Sequence, residues 1–135
     1  MGLFSKKLPL PNPTVLLEGV TAEFYSHGSL QFWSWSHDSI SFTVDGSMLH
    51  EGWLEDSRAI SAIVRTLRPR LAEITNEALK EWPCDPAYAE YNVTFSSASH
   101  ERRFEIAISN MDRWGDLAID VTVEDGEIVK YAVGT

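Results

Sequence analysis

The chain has 135 residues, of which 44% are hydrophobic and 11% aromatic, and it contains a single cysteine. This length and composition predict one folded domain, and a single cysteine excludes an internal disulfide framework. No apolar run in the sequence approaches the roughly 20 residues that span a membrane. The formal net charge of −9 argues against binding to nucleic acid or anionic membranes. It is as typical of an acidic surface that serves only solubility as of one that binds a basic partner. We expect a cytoplasmic protein that is a monomer or a homodimer.

The first part of the chain predicts a tail followed by strands. Residues 1–13 contain three prolines and are expected to form an extended tail before a single domain that spans residues 14–135. β-branched and aromatic residues over 14–25 surround Gly19, which predicts one bulged strand or two short ones. Residues 30–36 and 39–45 then predict a hairpin around His37 and Asp38.

Residues 57–82 predict the one long helix of the chain, because apolar side chains recur there at steps of three or four. Asp56 and Ser57 are expected to cap its start, and Trp82 to end it because Pro83 follows. Pro69 lies in the middle of this helix, but the apolar stripe keeps its phase across it, so we expect one kinked helix. The stripe consists of Ile60, Ile63, Val64, Leu67, Leu71, Ile74, Ala78 and Trp82.

Alternating apolar residues after the helix predict further strands over 91–95, 104–108, 117–123 and 128–133. Asp125 and Gly126 suit a two-residue hairpin turn between the last two. Short turns between successive strands are typical of antiparallel sheets. The sequence therefore predicts an α+β fold, in which an antiparallel meander of about six to seven strands curls around one long kinked helix.

No motif in the sequence predicts catalysis. His37, His50 and His100 each precede a carboxylate, but neighbouring residues of a strand point to opposite faces, and exposed histidines are common in loops. Metal-binding spacings such as C-x₂-C or H-x₃-H are absent from the sequence, and Cys84 has no base beside it. We predict no catalytic residue, no metal site and no cofactor.

The charges are segregated along the chain, since no lysine or arginine occurs between Lys7 and Arg58. Trp33 and Trp35 lie in this region and face the core if the hairpin turns on two residues, or the solvent if it turns on three. Burial of two indoles favours the core, whereas exposure would give an aromatic surface rimmed by carboxylates. The candidate partner-binding residues are Trp33, Trp35, Asp38, Asp45, Glu51, Trp53, Glu55 and Asp56.

The last third of the chain carries the run 104–108, an Asp-Arg-Trp-Gly-Asp turn at 112–116 and the hairpin sequence 119–129. In these segments it resembles small bacterial domains of unknown function, some of which are similar to immunity proteins of polymorphic or contact-dependent toxin systems. The resemblance implies neutralisation of a cognate toxin and supplies no catalytic residue.

Three functions are open at this stage. The leading expectation is a non-enzymatic, immunity-type inhibitor that binds a basic toxin or effector domain through an acidic and aromatic surface. The alternative is a domain that binds a small apolar ligand in a pocket between the curved sheet and the helix. A third possibility is a hydrolase or isomerase whose histidine and carboxylate are brought together by folding.

Overall fold

The computed structural model describes residues 12–135, so nearly all of the expected tail lies outside the described residues. The described chain forms eight strands, one long helix, one helix of four residues and two single turns of 3₁₀ helix. The strands are β1 (Thr14–Leu17), β2 (Val20–His27), β3 (Leu30–His37), β4 (Ile40–Asp45), β5 (Glu90–Phe95), β6 (Arg103–Ser109), β7 (Ala118–Glu124) and β8 (Glu127–Gly134). The helices are α1 (Trp53–Ala78) and α2 (Met111–Trp114), and the 3₁₀ turns are Pro86–Tyr88 and His100–Arg102.

The eight strands form one open sheet in chain order, with α1 packed on one face. The α+β class is confirmed, but the strand number exceeds the expected six to seven. Residues 14–27 form two strands rather than one, because Glu18 and Gly19 adopt positive φ angles of 49° and 81° and turn the chain back.

One strand pair departs from the expected antiparallel meander. Strands β1–β4 are antiparallel to one another, and so are β5–β8, but β4 and β5 are parallel. A parallel pair requires a long crossover, and α1 provides it, since its 26 residues span roughly 39 Å. The fold is therefore two four-stranded meanders joined edge to edge by one helix.

The long helix is continuous through Pro69, which confirms the prediction of a single helix, but its bounds lie four residues earlier than expected. Its N-cap is Gly52, which offers no side-chain oxygen, while Asp56 and Ser57 bond to residues elsewhere in the fold. At the other end Leu79 is buried and Trp82 is 43% exposed. Among residues 12–135 no helix has the length and apolarity needed to cross a membrane.

The core lies between α1 and the covered face of the sheet. Ile60, Val64, Leu71 and Ile74 of the predicted stripe are fully buried, and Ile63, Leu67 and Ala78 are partly buried against them. The facing side chains come from alternate strand positions, as the period of two requires. They include Trp33, Trp35, Phe42, Val44, Val93, Phe95, Phe104, Ile106, Ile108, Ile119, Val121 and Val123.

The hairpin between β3 and β4 turns on two residues, but these are Asp38 and Ser39, whose φ angles are 57° and 63°. The expected turn was one residue earlier, so the pairs differ: Trp35 lies opposite Phe42 rather than Ile40. Moving both turn positions by one residue leaves each side chain on its expected face. Trp33 and Trp35 are accordingly buried, which confirms the preferred interpretation.

Candidate functional site

The face of the sheet opposite α1 is referred to here as the open face. Because Trp33 and Trp35 point toward the helix, the residues that alternate with them on β3 belong to the open face. In the β1–β4 meander six of the 13 members of this face have small hydroxyl side chains. Its members are Thr14, Leu16, Thr21, Glu23, Tyr25, His27, Leu30, Phe32, Ser34, Ser36, Ser41, Thr43 and Asp45.

An aromatic pair lies on the open face at one end of these strands. Tyr25 and Phe32 are opposite each other on β2 and β3, with ring centroids 5.2 Å apart and planes 19° from parallel. Leu30 follows on the same face and is 55% exposed. Asp45 lies directly opposite Phe32 on β4, and Glu23 lies two residues before Tyr25. We call these five residues the aromatic–acidic patch.

No cation of the first meander neutralises this patch, since no lysine or arginine occurs between residues 7 and 58. Two arginines of α1 pair with other carboxylates of the meander: Arg58 lies 3.1 Å from Glu18, and Arg65 lies 2.7 Å from Asp38. In the β5–β8 meander, by contrast, the open face carries Arg103, which pairs with Glu124. The β1–β4 side of the open face therefore differs in having no lysine or arginine, not in having more carboxylates, since the β5–β8 side also carries Glu105, Asp120 and Glu124.

The three tryptophans among the candidate partner-binding residues lie inside the protein. Trp33 donates its indole N–H to Ser47 O at 3.0 Å, and Trp35 donates to Ser57 Oγ at 2.7 Å. Trp53 begins α1 and packs edge-on against Trp35, with centroids 4.9 Å apart. Because these rings are buried, they do not contribute to a surface, and the aromatic side chains of the open face in this region are Tyr25, which is exposed, and Phe32, which is partly buried.

The five candidate carboxylates do not form one surface. Asp38, Asp45, Glu51 and Glu55 are exposed, and Asp38 is paired with Arg65. Asp45 belongs to the aromatic–acidic patch. Asp56 differs from the others, because its side chain is only 13% exposed and lies between two histidines.

These histidines and Asp56 form a compact cluster. His50 Nε2 lies 2.7 Å from Asp56 Oδ2, and His100 Nδ1 lies 3.0 Å from the same oxygen. The two imidazole rings are nearly perpendicular, with centroids 6.0 Å apart. A carboxylate oxygen accepts hydrogen bonds, so in this arrangement each imidazole N–H donates to Asp56.

Three separate segments bring the cluster together. His50 lies in the loop after β4, Asp56 in the first turn of α1, and His100 at the start of the 3₁₀ turn between β5 and β6. The His50 ring packs edge-on against the buried Phe95 at 5.9 Å, which fixes its orientation. His100 has a positive φ of 51°, and its backbone N–H donates to Ser96 O.

This cluster is not predicted by the sequence, in which the carboxylate next to each histidine is not the one that it contacts. The acidic partner of both His50 and His100 is Asp56, which is 6 and 44 residues away along the chain. One signal was present in the sequence: Asp56 was expected near the helix start, where the preceding loop brings His50 close. No sequence pattern indicates His100.

A cleft lies at the edge of the interface between helix and sheet, where the alternative prediction expected a ligand pocket. It has a volume of about 230 Å³ and is lined by residues of α1, the Pro86–Tyr88 turn and Tyr91. Burial raises the pKa of Tyr91 above its ordinary value of 10.0, and the nearby Arg68 guanidinium partly opposes this shift. Arg68 lies over the Tyr91 ring, 5.3 Å from its centroid.

Comparisons with known proteins find no relative of this chain. No family model matches it, and neither the curated proteins nor the solved structures include a significant match.

Proposed function

We propose that this protein is a protein-binding module that docks a basic partner on the open face of its sheet. The observation that carries the proposal is the aromatic–acidic patch, where stacked Tyr25 and Phe32 lie beside Asp45 with no neighbouring cation from the same meander. Exposed aromatic residues supply most of the energy at many interfaces, and uncompensated carboxylates favour encounter with a positively charged surface.

The size of the open face agrees with this role. Eight strands spaced about 4.8 Å apart are roughly 35 Å wide, and six residues along each strand add roughly 20 Å, so the face covers roughly 700 Å². A stable interface buries about 800 Å² on each partner. A partner centred on the patch would therefore cover most of the open face, with the β5–β8 meander at its rim.

The class of partner follows from the resemblance of the last third of the chain to immunity proteins. That resemblance favours the basic domain of a toxin or effector, and neutralisation would result from blocking its surface. The product of a reading frame beside the gene for this chain is the first candidate to test.

The experiment is a titration of the purified partner, identified by co-purification from the cells that make this protein, against wild-type and variant chains. We expect Phe32→Ala to weaken binding by about thirtyfold, which corresponds to about 2 kcal/mol for a central aromatic residue. Asp45→Lys is expected to weaken binding by about tenfold and to reduce its salt dependence.

The matched control for the charge change is Glu73→Lys on the exposed side of α1, away from the open face. This variant is expected to bind like the wild type. An acidic partner, or a basic partner whose affinity is unaffected by both Phe32→Ala and Asp45→Lys, would contradict the proposal.

A further inference from the structure

We infer that His50, Asp56 and His100 bind a divalent transition-metal ion, a property separate from docking on the open face. The three side chains provide two imidazole nitrogens and one carboxylate oxygen, and their ligand atoms lie within 4.8 Å of one another. Imidazole nitrogen is a preferred ligand of Zn²⁺, Ni²⁺, Co²⁺ and Cu²⁺, whereas Mg²⁺ and Ca²⁺ prefer oxygen. These two imidazole nitrogens and one carboxylate oxygen therefore favour Zn²⁺, Ni²⁺, Co²⁺ or Cu²⁺ over Mg²⁺ and Ca²⁺.

The spacing of the three ligand atoms is close to the one that a metal needs. With bonds of about 2.0–2.1 Å, ligand atoms of a tetrahedral site are about 3.3 Å apart. The two nitrogens lie 2.7 and 3.0 Å from Asp56 Oδ2, so these two distances need to lengthen by only a few tenths of an ångström, and the two nitrogens lie within 4.8 Å of each other. The ion would replace the two N–H protons that now point at the carboxylate.

The solvent exposure of the three side chains also suits the entry and binding of a metal ion. The His50 and Asp56 side chains are 17% and 13% exposed, which holds them in place, whereas His100 is 45% exposed and leaves the cluster open to solvent on one side. Water could complete the coordination shell from that side. Because the ligands come from the loop after β4, from α1 and from the turn after β5, the ion would link both meanders to the helix.

One feature of the cluster sets the expected strength of binding. His50 Nδ1 is buried and has no hydrogen-bond partner among residues 12–135. Metal-bound histidines usually donate this second N–H to a carboxylate or carbonyl, and the loss of such a partner costs about 10–100-fold in affinity. We therefore expect a dissociation constant in the micromolar range, weaker than that of a four-ligand structural zinc site.

The test is a calorimetric titration of the untagged protein with Zn²⁺, repeated with Co²⁺, whose visible absorption reports ligation. We expect one ion per chain, and His100→Gln should weaken binding by about tenfold or more because it removes one of three protein ligands. Zn²⁺ at a fixed concentration should also raise the melting temperature of the wild type more than that of His100→Gln. The matched control is His27→Gln, which removes an exposed histidine at the end of β2.

His100→Gln is the deciding variant because this side chain is nearly half exposed, so its loss leaves the core intact. Asp56→Asn is a second variant, to be compared only if its circular dichroism matches the wild type. Saturable binding that is weakened in His100→Gln and unchanged in His27→Gln supports the site. Absence of saturable binding at hundreds of micromolar Zn²⁺, or equal affinity in wild type and His100→Gln, overturns it.

Discussion

The two faces of the sheet are built from alternate residues of the same strands, yet they differ in almost every property. On β3, Trp33 and Trp35 point inward and are buried, while Phe32, Ser34 and Ser36 point outward. The inner face packs against α1 across its central strands, and the open face offers small hydroxyl groups, a few carboxylates and one aromatic pair.

The inner face stabilises the fold, whereas the open face is available to bind a partner. Inner residues are selected by volume and apolarity, because any gap or unpaired polar group in the core costs free energy. Outer residues are under a weaker constraint, so folding depends much less on the pairing of Tyr25 with Phe32 than on the buried aromatic residues of the core. The comparison can be tested with substitutions that are chemically alike but placed on opposite faces.

The largest effect is expected from Phe42→Ala on the inner face. Phe42 is fully buried between Trp35 and Phe95, whose ring centroids are 5.9 and 6.3 Å away. Its truncation leaves a cavity and is expected to lower the free energy of unfolding by about 3–5 kcal/mol, measured by urea denaturation.

Phe32→Ala on the open face is the counterpart of this substitution. It removes a stacked ring that lies on the solvent side, so we expect a loss of about 1 kcal/mol. If Phe32→Ala destabilised the protein as much as Phe42→Ala, the assignment of the two faces would be wrong.

The division between the faces was accessible from the sequence, because the period of two in each strand and of 3.6 in the helix survives folding. The two-residue turn was placed one position too early, yet Trp33 and Trp35 kept their face. The parallel pair of β4 and β5 was missed, although a strand, a long helix and a strand in succession is the pattern that produces one.

Long-range polar contacts were not accessible from the sequence. Asp56 and Ser57 suggested a helix cap, but their oxygens bond to His50, His100 and Trp35. These partners lie up to 44 residues away, and no local pattern marks them. Asp56 and Ser57 therefore lie inside α1, which begins at Trp53 after Gly52, and do not cap it.

An intermediate loss in the free energy of unfolding is expected when the buried hydroxyl of Ser57 is removed. Ser57 Oγ accepts the Trp35 indole N–H at 2.7 Å and donates to Trp53 O at 2.8 Å. Ser57→Ala would leave that indole N–H unpaired in the core, so we expect the free energy of unfolding to fall by about 1–3 kcal/mol. Helix propensity alone predicts the opposite sign, since alanine is the better helix former.

Ser61→Ala is the matched control, one helical turn further along α1. Ser61 is buried as well, but its hydroxyl has no hydrogen-bond partner among the described residues. This substitution is expected to be neutral or slightly stabilising in the same urea titration. Equal losses for Ser57→Ala and Ser61→Ala would show that the bond to Trp35 does not stabilise the fold.

The smallest change in the free energy of unfolding is expected from Tyr91→Phe. Tyr91 lies at the margin of the inner face, between the core and the cleft beside α1. Because burial raises the pKa of Tyr91, the folded state keeps the phenol proton at a pH where the unfolded chain has lost it. The stability that this group contributes is therefore complete below about pH 10 and is lost as the pH rises through the folded-state pKa. Tyr91→Phe should remove this part of the alkaline loss.

The measurement is the free energy of unfolding of the wild type and Tyr91→Phe as the pH is raised past about 10. We expect the wild type to lose stability more steeply, while the control Tyr131→Phe, at an exposed tyrosine of β8, follows the wild type. Parallel curves for wild type and Tyr91→Phe would contradict the prediction. They would mean that the inner face ends before Tyr91 and that its hydroxyl is as well hydrated in the folded protein as in the unfolded chain.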